Sequence, residues 1–244
     1  MSILNHPWRD SLKRRFDRWL SRAVPGSCLL CGADAGNALI CADCTADLPP
    51  APTPACPQCG EATTHGERCG ACLTRPPHFA ATIALFRYEF PVDRVVQALK
   101  YGHQLAVAPW IAARLAERLD AGGHDLIVPL PLHPARLRER GFNQSQQIAR
   151  HLGRHLGLPV DGSSLMRRRP TAPQAGLMLK ERHANVRGAF ECRADLSGRR
   201  ALLVDDVMTT GATADECARV LRLHGAASIT VAVAARALRD ASVV

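Results

Sequence analysis

Residues 201–213 read ALLVDDVMTTGAT. The apolar run ALLV marks a strand buried on both faces, and it leads straight into two adjacent carboxylates, Asp205 and Asp206. Neighbouring carboxylates repel one another and resist desolvation, so a purely structural use of the pair is unfavourable. The loop that follows, Thr209-Thr210-Gly211-Ala212-Thr213, is built of small residues that let backbone amides approach a ligand closely. Its hydroxyls add donors, and the helix expected behind it turns its positive end toward the same point. The run reads as a phosphate cradle, without the Gly-Lys-Ser/Thr of a Walker A loop. Two carboxylates beside a cradle would repel a bare phosphate; they suit the hydroxyls of a cis-diol or a divalent cation. Phosphate and diol held close together describe a ribose 5-phosphate.

The flanking sequence sets this run in an α/β domain over residues 77–244. Strands are expected at TIALFRY (82–88), DLIVPLP (125–131), RRALLVD (199–205) and SITVAVAA (228–235). Between them, helices are expected at VDRVVQALK (92–100), AVAPWIAARLAERL (106–119), NQSQQIARHLGRHLG from Asn143, and ATADECARVLRLHG (212–225). Strands alternating with helices imply a mainly parallel sheet covered on both faces. Ligands bind at the carboxyl ends of such strands. Three polar segments fall there: PLHPARLRERGFNQ (131–144), DDVMTTGAT (205–213) and RRRPTAPQAGLMLKER (167–182).

Ahead of this domain lies a cysteine-rich module, residues 28–76. Eight of the ten cysteines form four C-x-x-C pairs: Cys28/Cys31, Cys41/Cys44, Cys56/Cys59 and Cys69/Cys72. Adding 28 to each of the first four numbers gives the second four, so the module is an internal repeat. Two such pairs supply the four soft ligands that tetrahedral zinc prefers and leave it no open position, which makes two zinc ions structural rather than catalytic. Sequential pairing is the simplest arrangement; the spacing also permits a cross-braced one. Cys192 and Cys217 stand outside the pattern as ordinary buried thiols. Residues 1–27 carry Leu4, Trp8, Leu12 and Phe16 among basic residues, an amphipathic basic helix.

Net charge is +9. Residues 132–200 hold 14 Lys or Arg against 5 Asp or Glu, so the basic excess is concentrated there and implies a phosphate-bearing partner. No apolar run approaches the roughly 20 residues of a membrane span. The N-terminus mixes charged and apolar residues too tightly for a signal peptide, and the cytoplasm is the expected compartment.

These motifs carry a resemblance. ALLVDDVMTTGAT resembles the phosphoribosyl-pyrophosphate (PRPP) signature of type I phosphoribosyltransferases. With VPLPLHPARLRERGFNQSQQIA (128–149) and the run Gln174, Arg182, Asn185 to Phe190, the chain is similar to the ComF family, competence-associated relatives of amidophosphoribosyltransferases with a cysteine finger in front. The likeness covers the chain from about residue 24 onward. It departs in one respect, since a single four-cysteine finger is the commoner arrangement. The resemblance implies a type I phosphoribosyltransferase-like sheet and PRPP bound with Mg²⁺. In the implied site Asp205 and Asp206 take the ribose hydroxyls, and Thr209, Thr210, Gly211, Ala212 and Thr213 cradle the 5-phosphate. His133, Arg136 and Arg182 would meet phosphate, while 165–190 would form a hood over the site. It further implies either a transferase releasing pyrophosphate or a non-catalytic PRPP sensor. Single-stranded DNA and a competence helicase are the partners that the family role in DNA uptake suggests.

Other residues admit plainer readings. His133 before Pro134 serves equally as a turn residue or an acid–base group. Asn143 reads as a helix N-cap. Arg136 and Arg140 would share a face if their segment is helical, with Arg138 turned away. Lys100 reads as a surface lysine, and His151, His155 and His224 as helix-surface residues.

Overall fold

A computed structural model describes residues 26–169 and 186–238. The basic helix expected from Leu4 to Phe16 lies outside these residues, as does Arg182. The chain divides into two compact units between Leu48 and Pro49. The first unit carries the first cysteine cluster, with the short helix α1 (Ala42–Ala46) beginning at Cys41. The second unit contains the second cluster, whose helix α2 (Gly70–Thr74) begins at Cys69, together with the whole α/β sheet.

That sheet unit runs β1 (Ala81–Arg87), α3 (Val92–Lys100), α4 (Val107–Ala116), β2 (Leu126–Pro129), α5 (Pro134–Arg140) and α6 (Gln144–Leu156). It continues with β3 (Leu165–Arg167), β4 (Phe190–Cys192), β5 (Arg200–Met208), α7 (Ala212–Leu223) and β6 (Ser228–Arg236). Strand order is β1-β6-β5-β2, all parallel, as the alternation of strands and helices requires. The central strands β5 and β6 are buried on both faces, which is why ALLV and VAVAA show no polar alternation.

Alternation along β5 divides the core in two. Ala201 and Leu203 join Ile229, Val231 and Val233 of β6 and Cys217, Ala218 and Leu221 of α7 in one cluster. Leu202 and Val204 point the other way, to the side where α4 and α6 pack together. Buried Ile111 and Leu115 of α4 and Ile148 and Leu152 of α6 stay out of the α7 cluster.

Strand β5 does not stop at Asp205, as the sequence suggested. Its register with β6 continues through Asp205 opposite Val233, Val207 opposite Ala235 and Met208 opposite Arg236. The two carboxylates therefore sit within a paired strand, and adjacent strand residues face opposite sides of a sheet. Two further elements escaped the sequence reading. Helix α5 is capped by His133 and ended by Gly141 in the left-handed region, φ 79°. The short antiparallel pair β3–β4, with Arg167 opposite Phe190, brings together the two ends of the segment expected to form a hood.

Candidate functional site

Strands β2 and β5 run parallel, and β2 ends at Pro129 opposite Val204, four residues before β5 ends at Met208. The loop after β2 and the loop after β5 therefore open at the same edge, where parallel sheets bind ligands.

Asp205 is half-buried, and its Oδ1 accepts from Ser145 Oγ at 2.8 Å and from the Asp206 amide at 2.9 Å. Desolvation, reinforced by the Asp206 charge, pushes its carboxyl up to about 7 from an ordinary 3.8. Asp206 is buried on the other face, its Oδ1 accepting from the Val207 amide. Lys100 Nζ lies 2.7 Å from Asp206 Oδ2. Burial pulls Lys100 down, but the Asp206 carboxylate outweighs it and leaves the ammonium above its ordinary value. Lys100 is thus a partner of the acidic pair, not the surface lysine expected: its side chain is only 20% exposed at the C-terminal end of α3. The two aspartates thus have different direct partners, Ser145 for Asp205 and Lys100 for Asp206, while the Lys100 charge acts on both.

The threonine loop follows directly. Thr209 and Thr210 are half-buried, and Thr210 Oγ1 accepts from the Ala212 amide at 3.3 Å. Gly211 adopts φ 79° and is the N-cap of α7, with no side chain to accept from the first-turn amides. The positive end of a 12-residue helix therefore meets the loop without a capping side chain from its own N-cap residue, although Thr210 Oγ1 takes the Ala212 amide. Ala212 is buried, and Thr213 is half-buried in the first turn of the same helix.

On the β2 side, His133 Nδ1 accepts from the Ala135 amide at 3.2 Å, so His133 is the N-cap of α5. Arg136 and Arg140 of α5 are half-buried while Arg138 is exposed, the division expected of a helix. Arg140 donates to Gln144 Oε1 at 2.7 Å and stands over the Tyr101 ring. Asn143 is an N-cap, its Oδ1 accepting from the Ser145 and Gln146 amides, while its Nδ2 donates to the Leu130 carbonyl. This double use of Asn143 ties α6 to the end of β2 and so brings Ser145 to Asp205. Arg167, depressed by burial and then by the charge of Arg136, is attracted by Asp205. Arg168 and Arg169 are engaged at the base of the expected hood, on Glu191 and on the Arg187 carbonyl.

Both cysteine clusters assemble in sequential pairing. The sulfurs of Cys28, Cys31, Cys41 and Cys44 lie within 4.8 Å of one another, as do those of Cys56, Cys59, Cys69 and Cys72. Tetrahedral zinc with ligands at about 2.3 Å requires sulfurs about 3.8 Å apart. Cys31 and Cys41 stand at 3.8 Å and Cys59 and Cys69 at 3.6 Å. Amides of Leu30 and Cys41 donate to Cys28 Sγ. Burial would raise Cys28, but such backbone donors bring it down to about 6, and they bring Cys56 to about 7. Within the same clusters neighbouring thiols push Cys44 up, and burial with neighbouring thiols pushes Cys59 and Cys72 up, a crowding of acidic groups that a bound cation would relieve. Cys192 and Cys217 are buried thiols outside both clusters.

Sequence reading missed Lys100, Ser145 and Arg236. The first two come to Asp206 and Asp205 across chain separations that no local pattern records. Arg236, at the end of β6, is 1% exposed, and an arginine closing an apolar strand was the signal available.

Comparison with known proteins agrees with this architecture. A double zinc ribbon domain matches residues 19–73, so the doubled cysteine unit is itself a recurring domain, and a phosphoribosyl transferase domain matches residues 138–243. The chain is 34% identical over 218 residues to the DNA utilization protein YhgH of Escherichia coli K12, covering 85% of this chain and 96% of that protein. It is 33% identical over 199 residues to competence protein F of Haemophilus influenzae, covering 75% and 85%. With the competence protein ComFC of Streptococcus pneumoniae it shares 23% over 218 residues, covering 83% and 96%. Among the described residues no helix is long and apolar enough to cross a membrane.

Proposed function

The chain belongs to the ComF family, that of competence protein F and the DNA utilization protein YhgH, and on that footing we propose that its α/β unit binds PRPP, with Mg²⁺, in a role connected with DNA uptake. The observation that carries this reading is the sequence along one stretch of a carboxyl raised in the last half of β5, Asp205, and a helix N-terminus whose N-cap, Gly211, offers no side chain. A phosphorylated ribose satisfies both at once. Its hydroxyls would donate to Asp205, and its 5-phosphate would accept from amides of Thr209 to Thr213. Asp206, held by Lys100, would complete the acidic end of the strand. Arg136 and His133, from the neighbouring loop, would face the pyrophosphate, whose charge Mg²⁺ would share. Transfer of the ribose phosphate to an amine or base would need alignment and neutralisation of the leaving group, with no covalent nucleophile. Zinc in the two ribbons would be structural.

Calorimetric titration of PRPP with Mg²⁺ into the zinc-replete protein tests this. Micromolar binding that is lost in Asp205→Asn supports it, and pyrophosphate release with an acceptor would then separate an enzyme from a sensor. A folded wild type that binds no PRPP refutes it and leaves DNA binding by the basic surface as the better reading.

A further inference from the structure

Arg236 is fully buried, and its guanidinium reaches two parts of the molecule at once. Nε donates to the Cys59 carbonyl at 2.9 Å, and Nη2 pairs with Glu61 Oε2 at 2.8 Å. Nη1 donates to the carbonyls of Met208, Thr209 and Ala237. One rigid fork therefore spans from a cysteine of the second cluster to the first residue of the threonine loop. Packing supports the same tie. Gly60, at φ 70° between Cys59 and Glu61, lies so close that an added Cβ would stand 3.9 Å from Arg236 Cδ and 3.5 Å from Thr82 Cγ2. Thr82 Oγ1 in turn donates to the Gln58 carbonyl at 2.7 Å. Cys59 and Cys72 also line the same cavity, of about 1230 Å³, as Thr210, Gly211 and Ala212.

Orientation is the consequence that matters. The Thr209–Thr210 peptide unit is planar and trans, so a carbonyl fixed on one side sends the Thr210 N–H to the other. A guanidinium holding the Thr209 carbonyl thus turns the next amide away from itself, as an anion-accepting loop requires. The guanidinium in its turn is aimed by the Cys59 carbonyl, whose position depends on the Cys59 thiolate being anchored.

We propose that Arg236 is a positioning residue that couples the zinc site of Cys56, Cys59, Cys69 and Cys72 to the geometry of the Thr209–Thr213 phosphate loop. The second zinc ribbon is then part of the ligand site's framework. The inference rests on reading that loop as a phosphate site, but its test does not require PRPP to bind.

The test is hydrogen exchange on the full-length Cys44→Ser protein, in which the second cluster alone retains four cysteines, before and after zinc withdrawal by EDTA. We expect peptides over 206–213 to exchange about tenfold faster once zinc leaves, while β2 and α4 keep their protection. Zinc-loaded Arg236→Lys, whose single ammonium cannot span both partners, should expose the same peptides without losing metal. Should that variant not fold, Glu61→Gln keeps the shape and removes the charge partner, with the same peptides as readout. Unchanged protection over 206–213 while 56–72 is released would overturn the coupling. Simultaneous loss across β2 and α4 would reduce the zinc to a stabiliser of the fold and overturn it equally. Failure of PRPP to bind the intact wild type would refute the proposed function alone.

Discussion

Lys100 Nζ and Asp206 Oδ2 stand 2.7 Å apart, joining the last residue of α3 to the inner face of β5. The lysine side chain is 20% exposed and the aspartate 4%. A charge so placed cannot be left without its partner cheaply, because the interior offers little water to replace it. Asp205, its neighbour in sequence, is held by Ser145. The acidic pair is therefore fixed by two partners, one carboxylate by a cation and the other by a hydroxyl.

Removing the cation should be costly for folding. Lys100→Met is expected to destabilise the protein by roughly 3 kcal/mol in urea denaturation. The double change Lys100→Met/Asp206→Asn should recover part of that loss. A double variant whose loss equals the sum of the losses in Lys100→Met and Asp206→Asn would mean that the pair carries no coupling.

Asp205 should give a pH signature. Its folded value of about 7 lies above the ordinary 3.8, so its ionisation opposes folding. The contribution is fully favourable below the lower value, and it is lost as pH rises through the higher one. Asp205→Asn should therefore melt progressively higher than the wild type between these two values, and level off above about pH 7. Ligand affinity should run the other way, since hydroxyls donate to the carboxylate. PRPP binding should strengthen from about pH 6 to about pH 8 in the wild type and show less of that rise in Asp205→Asn. A wild-type profile that matches the variant's in both measurements would count against a raised Asp205.

Metal content should be about two zinc ions per chain by elemental analysis, falling to about one in Cys44→Ser. A cross-braced pairing would instead couple the two sites, so that this one change lowered both.

Gly211 is expected to be the least replaceable residue of the loop. An added Cβ would meet Met208 Sδ at an ordinary 3.8 Å, so the cost of Gly211→Ala comes from φ 79° and not from a clash. It should be about 1 kcal/mol in stability. PRPP affinity should fall about tenfold, because a loop that relaxes to a commoner φ re-aims the α7 amides. Gly211→Asn, which tolerates that region better, should be milder in both respects.

Much of this site was legible in the chain because its signals are local. Thirteen consecutive residues carry strand, carboxylates, loop and helix start, and eight cysteines repeat at a fixed interval. The N-caps were also within reach: Asn143 reads as one, and a turn residue is one of the two equal readings of His133, since capping is a matter of two or three neighbours. The end of β5 was misjudged for the opposite reason. Two aspartates look like the end of a buried strand, yet the strand continues to Met208 because β6 offers partners as far as Arg236.

Sequence alone determined the class of fold, the two cysteine clusters and the small-residue loop between β5 and α7, since hydrophobic periodicity, ligand spacing and small-residue turns are properties of short stretches. Tertiary structure decided which way each aspartate faces, that Lys100 and Ser145 are their partners, and that Arg236 spans from Cys59 to Thr209. Those contacts join residues up to 177 positions apart, and only the packing of β6 between β1 and β5 brings them within reach.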